Sequence, residues 1–380
     1  MTGPLRQARI ELGAVRSNVA ALSERAGDAQ VMAVVKADAY GHGLVPCARA
    51  ARAGGADWLG VALLEEAMAL RAGGDTGRVL AWLFGPGEPR LEQAVATDVD
   101  LNASAPWAVA EIAAAARAAG RPARVHLKAD TGLSRAGATA DDWPGLLDAA
   151  MRAQAEGVVQ VVGVWTHLAW ADVPDHPTVG LQLERFAAAV AAAERAGARL
   201  EVRHAANSAA TLTRPDARFD LVRPGIAVYG ISPVPDLGGP ADYGLRPAMT
   251  LSARLALVKR IPAGSGVSYG HEYVTERETT VGLVPLGYAD GIPRSASGRG
   301  PLLAAGALRT VAGRVCMDQV VVDLGDDPAQ AGDEVVLFGP GDSGEPSAED
   351  WARAAGTIAY EIVTRLGPRV ERTWVEEGDR

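Results

Sequence analysis

Basic and hydroxyl-bearing residues recur in this chain at one kind of place, just past the end of a short apolar run. Lys36 closes the run in "AVVKADAYGHG" (33–43) and is followed by Asp38, Tyr40 and His42. Lys128, Asp130 and Arg135 end and follow "ARVHLKA" (123–129), and His167 closes "VVQVVGVWTH" (158–167). Asn207 and Ser208 follow "LEVRHA" (200–205), and Arg223 and Gly225 close "FDLVRPG" (219–225). Taken singly, each has a plain explanation. A lysine or arginine beyond a strand is usually solvated, and a lone histidine is more often a hydrogen-bonded core residue. Several polar groups at the ends of neighbouring strands are harder to explain by solvation. Asn207 and Ser208 open a helical stretch, where free backbone N–H groups favour an anion. Gly225 lets backbone amides approach a ligand. A phosphate site at one end and a lysine amine at the other suggest pyridoxal phosphate, whose aldehyde forms a Schiff base with lysine.

These residues need a frame that gathers strand ends. β-rich runs at 31–36, 58–62, 78–84, 99–103, 123–129, 158–167, 200–205 and 219–225 alternate with alanine-rich helical patterns such as 108–120 and 180–198. Glycine or proline usually marks the boundaries. Eight strands alternating with helices predict an α/β fold, an eight-stranded parallel barrel of the TIM type, with a doubly wound sheet as the alternative. In a barrel the C-terminal strand ends carry the chemistry, and the loops after strands seven and eight commonly hold phosphate. The texture changes near residue 240. The stretch 232–247 is loop-like, and the runs after it are short and β-patterned until "SAEDWARAAG". This predicts a barrel domain over 1–240 and a mostly antiparallel β domain over 241–380. The opening "ARIELGAVRSN" reads as a strand entering a helix, and about the first 12 residues could pair with either domain.

Composition removes several classes of function. The chain has 380 residues and a net charge of −9, with 22% charged and 48% hydrophobic residues. No lysine/arginine cluster stands out, so a nucleic-acid surface is not expected. No apolar run is long enough to cross a membrane, and the first residues lack the apolar core of a signal peptide. Cys47 and Cys316 form no framework, which fits a reducing cytoplasm. Six histidines without ligand spacing give no metal signal.

The motifs together resemble the alanine racemases, a barrel-fold family of pyridoxal-phosphate enzymes. The resemblance covers nearly the whole chain. It is carried by "AVVKADAYGHG", "HLKADTGLSRAG", "GVWTHLAWAD", "HAANSAATL", "VRPGIAVYG", "VSYGHEY", "GYADGIPR", "GRVCMDQ" and "YEIVTRLGPRV", in the family's order. It implies that Lys36 anchors the cofactor and that Tyr40, Ser208, the backbone of Gly225 and Ile226, and Tyr360 contact the phosphate, next to Asn207. Arg223 would face the pyridine nitrogen, and His167 would link Arg223 to the catalytic tyrosine. Arg135 would bind the substrate carboxylate, supported by Lys128, which is often carbamylated in this family. Met317 would offer its backbone to the same carboxylate, and Tyr288 would shape the entrance. Tyr269 would be the second base, contributed by the partner subunit of a head-to-tail homodimer.

The implied chemistry is interconversion of L- and D-alanine, supplying D-alanine for peptidoglycan. Racemisation removes the Cα proton from one face and returns one to the other, so two bases on opposite faces suffice, here Lys36 and Tyr269. A tyrosine has an ordinary pKa near 10 and acts as a base at neutral pH only beside positive charge. Guanidinium only donates hydrogen bonds. Facing the pyridine nitrogen, Arg223 keeps the ring unprotonated and a weaker electron sink, which favours proton return over transamination. Asp38 stands where many relatives have asparagine. Three alternatives remain at this stage: a racemase of broader or serine preference, a decarboxylase of the same architecture, and a barrel that merely binds the cofactor. Tyr360 and Tyr269 crowd the side-chain pocket and favour a methyl group. A decarboxylase is expected to place a carboxylate at the ring nitrogen, and a binding protein needs no β domain.

Overall fold

The computed structural model of the chain describes residues 4–376. After the opening strand β1 (Arg6–Glu11), eight strands run through one parallel sheet: β2 (Gln30–Val34), β3 (Trp58–Val61), β4 (Arg78–Ala81), β5 (Val99–Ala103), β6 (Ala123–Lys128), β7 (Val159–Trp165), β8 (Val202–His204) and β9 (Leu221–Val222). The spatial order is β8-β7-β6-β5-β4-β3-β2-β9, and every pairing is parallel. The ring is closed by the amide of Asp220 on Arg203 O (3.1 Å) and that of Arg223 on Ala206 O (2.9 Å). This is the eight-stranded α/β barrel that the alternation of runs predicts.

The helices form where the sequence leaves little choice. Pro106–Ala119 is alanine-rich, begins with proline in its first turn and ends at Gly120, which takes a left-handed φ of 68°. Its buried residues Ala108, Val109, Ile112, Ala113, Ala115 and Ala116 repeat at helical spacing. The later barrel strands are shorter than their apolar runs. β9 keeps only two of the seven residues expected, because Phe219 turns at a φ of 48° and Pro224 has no N–H for the ladder.

Side chains on a barrel strand alternate between the interior and the surrounding helices. On β6, Arg124, His126 and Lys128 share one parity, and on β5 so do Asp100 and Asn102. Met32, Trp58, Leu80, Val202 and Leu221 pack as one buried apolar cluster with Trp82. Asp100 and Asn102 of β5, His126 and Lys128 of β6 and His204 of β8 are buried polar residues.

The chain divides into two compact units. One consists of Val15–Ala39 and Leu44–Leu245, and carries the barrel. The other consists, among the described residues, of Pro4–Ala14, Tyr40–Gly43 and Arg246–Glu376. Within this second unit β1 pairs antiparallel with β10 (Met249–Arg254) and parallel with Glu371–Val375, so the opening strand belongs here. The sequence reading placed Tyr40–Gly43 in the barrel. They group with the second unit because Gly41 O accepts from Arg372 Nε (2.8 Å) and His42 O from Trp374 Nε1 (2.8 Å). Antiparallel strands make up most of the remainder, in sheets of six, three and two strands.

Candidate active site

Lys36 does not end its strand. β2 stops at Val34, and Lys36 opens a single helical turn, Lys36–Gly41. The turn is left-handed: Ala37, Asp38, Ala39 and Tyr40 have φ of 53–54°, and Gly41 has 81°. For non-glycine residues this conformation costs about 1–2 kcal/mol each, so it persists only where neighbours hold it. Glu66 Oε1 accepts from Ala37 N (2.5 Å), and Asp38 Oδ1 accepts from Leu44 N (2.8 Å). A Cβ on Gly41 would lie 2.3 Å from Val363 O, so the turn closes against backbone. Burial, then the charge of Arg135, lowers the Lys36 amine below its ordinary value, with Glu66 opposing. Lys36 is thus biased toward the free amine, the form that attacks a carbonyl carbon.

Three more cations share this end of the barrel. Lys128 and Arg223 both lie over the ring of Trp165, with Nζ at 4.0 Å and Cζ at 4.9 Å from its centroid. Burial, with the charges of Arg223 and Arg135, brings Lys128 down to about 7. Arg135 lies on the loop after β6. That loop is pinned by Asp130, whose Oδ1 accepts from Gly132 N (2.9 Å) and Ser134 N (3.1 Å), and by the amide of Ala138 on Lys128 O (2.9 Å). His167 is held well below its usual pKa by burial and then by Arg223, Lys128, Arg135 and Lys36, so it is neutral at pH 7. Arg135 and Arg223, with two lysine amines beside them, form a site for anions around a neutral histidine.

Ser208 opens the short helix Ser208–Thr213, capped by Asn207, whose Oδ1 accepts from Ala210 N (3.1 Å). Ser208 Oγ accepts from Gly225 N (2.7 Å) and Ala227 N (3.4 Å). With both lone pairs engaged, its proton is left to donate outward. Ile226 begins a 3-10 turn, Ile226–Tyr229, directly after Gly225. The two loops expected to take a phosphate are therefore tied to each other through one hydroxyl. Asn207 acts as the cap, shaping the loop.

Arg223 is anchored by four acceptors: Thr166 O (2.8 Å), Ala205 O (3.2 Å), His204 Nδ1 (3.0 Å) and His167 Nδ1 (3.3 Å). Because guanidinium only donates, both imidazoles accept at Nδ1, and His167 presents its Nε2–H outward. Burial lowers Arg223 to about 9, which leaves it charged at neutral pH. Behind it the polar chain continues. His204 Nε2 meets His126 Nδ1 at 2.9 Å, and His126 Nε2 meets Asp100 Oδ2 at 3.2 Å. Asp100 is gripped by Arg124 Nε (3.0 Å to Oδ1), and Trp165 stacks on His204 with ring centroids 5.5 Å apart. The sequence reading missed Asp100, His126, His204 and Trp165. Their signal was the alternation of polar residues along strands buried on both faces.

The remaining candidates lie in the second unit. Tyr40 and Tyr360 are ring neighbours, with centroids 6.1 Å apart, and burial, then Tyr360, pushes the Tyr40 phenol up. Tyr269 is 72% exposed on a strained turn: Ser268 has φ 64° and ψ −173°, Gly270 φ 74° and His271 φ 47°. Ser268 Oγ ties this turn to Arg314 O (2.8 Å) and to Cys316 Sγ (3.2 Å). Tyr288 N in turn donates to Cys316 O (3.0 Å), and Ala289 N to Met317 O (2.9 Å). Tyr269, Tyr288 and Met317 are therefore brought together around the segment 314–317. Among the described residues no cluster suits a metal ion.

The family model for the alanine racemase N-terminal domain matches residues 10–233, and that for the C-terminal domain matches residues 248–374. The chain is 64% identical over 366 residues to an alanine racemase of Frankia casuarinae, covering 96% of this chain and 95% of the relative. It is 62% identical over 376 residues to one of Streptomyces coelicolor, covering 98% and 96%. Among solved structures, alanine racemase from D-cycloserine-producing Streptomyces lavendulae superposes with a TM-score of 0.97 at 61% identity, covering 99% of this chain and 98% of that one.

Proposed function

The chain belongs to the alanine racemase family, and from that premise we propose how its residues divide the work. The activity is interconversion of L- and D-alanine, with pyridoxal phosphate as cofactor. One observation supports the assignment of the site above others. Lys36 is held toward its neutral form at the barrel end that also carries Arg223, Arg135 and the Ser208–Gly225 turn.

Lys36 holds the cofactor. The outward proton of Ser208 and the backbone of Gly225 and Ile226 take its phosphate, with Asn207 shaping the loop and Tyr40 and Tyr360 adding phenolic donors. Arg223 donates to the ring nitrogen. Pyridoxal phosphate bound there supplies the aldehyde that captures the substrate amine and the ring that withdraws electrons from Cα. Arg135 binds the alanine carboxylate, helped by the backbone of Met317, and Tyr288 borders the entrance. Lys36 Nζ and the Tyr269 phenol oxygen hold and move the Cα proton on opposite faces. The Nε2–H of His167 donates to that phenol oxygen and stabilises its charged form.

Lys128 is a fitting site for carbamylation. Near neutral pH much of it is free amine. Attack of that free nitrogen on carbon dioxide, with loss of one proton, turns a neutral amine into a negatively charged carbamate beside Arg135 and Arg223.

Tyr269, 72% exposed, acts in a site completed by a second chain, so the working unit is a homodimer. Two experiments test these assignments. Lys36→Ala should lose the visible absorbance of the bound cofactor and the conversion of L-alanine to D-alanine. A protein inert toward alanine with cofactor supplied would overturn the reading. Mixing inactive Lys36→Ala and Tyr269→Phe chains should restore roughly a quarter of wild-type activity, because random pairing gives half hybrids with one intact site each. No recovery on mixing would place Tyr269 in its own chain's site.

A further inference from the structure

We propose that Asp100 and His126 are positioning residues for Arg223, acting through His204 as a one-directional hydrogen-bond relay across the barrel interior. The inference rests on Arg223 being the partner of the cofactor ring. Every proton in the relay is fixed by what Arg223 cannot do. Arg223 Nη1 lies 3.0 Å from His204 Nδ1 and only donates, so Nδ1 carries no proton. His204 is then protonated at Nε2 and donates across 2.9 Å to His126 Nδ1. His126 in turn carries its proton on Nε2 and donates across 3.2 Å to Asp100 Oδ2. Both imidazoles are neutral, and no alternative tautomer satisfies all three contacts. Burial, with Arg223 and other cations near it, also disfavours a charged His204.

The terminal carboxylate gives the relay its sense. All four acceptors around the Arg223 guanidinium are uncharged. Its nearest anion along the relay is Asp100, fully buried and two imidazoles away. Asp100 polarises His126, His126 polarises His204, and the His204 lone pair facing Arg223 is strengthened. A carboxylate placed directly against the guanidinium would compete with the ring nitrogen for its N–H groups. The relay supplies partial neutralisation without that competition, and it fixes the plane of Arg223. The packing leaves no slack, since a Cβ on Gly163 would lie 2.4 Å from His126 Nδ1. Trp165 stacked on His204 at 6° holds the second ring.

The test is Asp100→Asn, with solid-state 15N NMR of histidine-labelled holoenzyme beside steady-state kinetics. In wild type, His126 and His204 should both carry the proton on Nε2. In the variant the amide oxygen stays toward Arg124 Nε, and the NH2 group faces His126. Both histidines should then reverse to Nδ1–H, setting a proton against Arg223. By the scale of outer-shell partners, kcat should fall roughly 10- to 100-fold, while KM for alanine, set by Arg135, moves little. Glu201→Gln serves as control. Glu201 grips Arg124 from the other side (2.9 and 2.7 Å) and does not touch the proton order. It should leave tautomers and kcat unchanged. Three results would each overturn the relay: wild-type His204 protonated at Nδ1, reversed tautomers with kcat unchanged, or equal kcat losses in both variants. The tautomers are read independently of turnover, so a failure of the relay is distinguishable from a failure of the assignment of Arg223.

Discussion

Replacing Lys128 by methionine should stabilise the cofactor-free protein, and more so at low pH. Lys128 is 5% exposed, and its amine is lowered from 10.5 to about 7. Above pH 10.5 the amine is neutral in both folded and unfolded chains and contributes nothing. As pH falls from there toward 7, the unfolded chain takes up a proton that the folded chain refuses, so stability declines. Below pH 7 both forms are protonated and the folded state carries the whole penalty, on the order of 5 kcal/mol at 1.36 kcal/mol per tenfold. At pH 9 only about 2 kcal/mol of it remains. Attraction of the ammonium to the Trp165 ring returns about 1–2 kcal/mol at low pH. The net gain for Lys128→Met is then about 3 kcal/mol at pH 6, shrinking as pH rises. The assay is urea unfolding of cofactor-free wild type and variant, in buffers purged of carbon dioxide, at pH 6 and 9. Equal destabilisation of the variant at both pH values would show that this ammonium is not under electrostatic stress. The case for a carbamate at Lys128 would lose its basis with it.

Other consequences are simpler to read. Arg223→Glu should lower racemisation and raise transamination, seen as pyruvate released per alanine inverted; an unchanged ratio refutes the role given to the guanidinium. Ser208→Ala should weaken cofactor binding by about 1.5–3 kcal/mol, the worth of one hydrogen bond to a charged group, measured by titrating cofactor-free protein. Gly41→Ala should destabilise the protein by more than the 1–2 kcal/mol of left-handed strain, because its Cβ would also meet Val363 O at 2.3 Å; thermal unfolding checks this. L-serine should racemise slowly rather than not at all, since one small substituent is worth about 1–3 kcal/mol; rates above those for alanine would show that the pocket is not crowded.

Much of this was legible in the sequence because the barrel repeats one arrangement. Five of the eight apolar runs are closed or followed by a polar residue at the same end, so Lys36, Lys128, His167, Ser208 and Arg223 mark a mouth in the sequence alone. What the sequence did not disclose follows from two physical facts. First, the residues after Lys36 look like an ordinary right-handed turn, since alanine, aspartate and tyrosine have no intrinsic wish for positive φ. The left-handed turn is imposed by Glu66 and by the contacts of Gly41 with Val363 and Arg372, all distant in sequence. The same contacts draw Tyr40–Gly43 into the second unit.

Second, polar side chains inside strands are ordinarily read as facing solvent. In "ARVHLK", Arg124, His126 and Lys128 alternate with Val125 and Leu127, the pattern of a half-exposed strand. A barrel strand has no exposed face: Val125 and Leu127 go to the helices, and the polar set goes inward. That placement is affordable only if every proton has a partner, and the requirement is met only when Asp100 on β5, His126 on β6, His204 on β8 and Arg223 beyond β9 are read together. Each alone is a buried polar residue with a plain explanation. Their shared direction becomes visible only when the strands are set side by side, because the constraint that orders them, an arginine that can only donate, lies 97 positions from the histidine it ultimately orients.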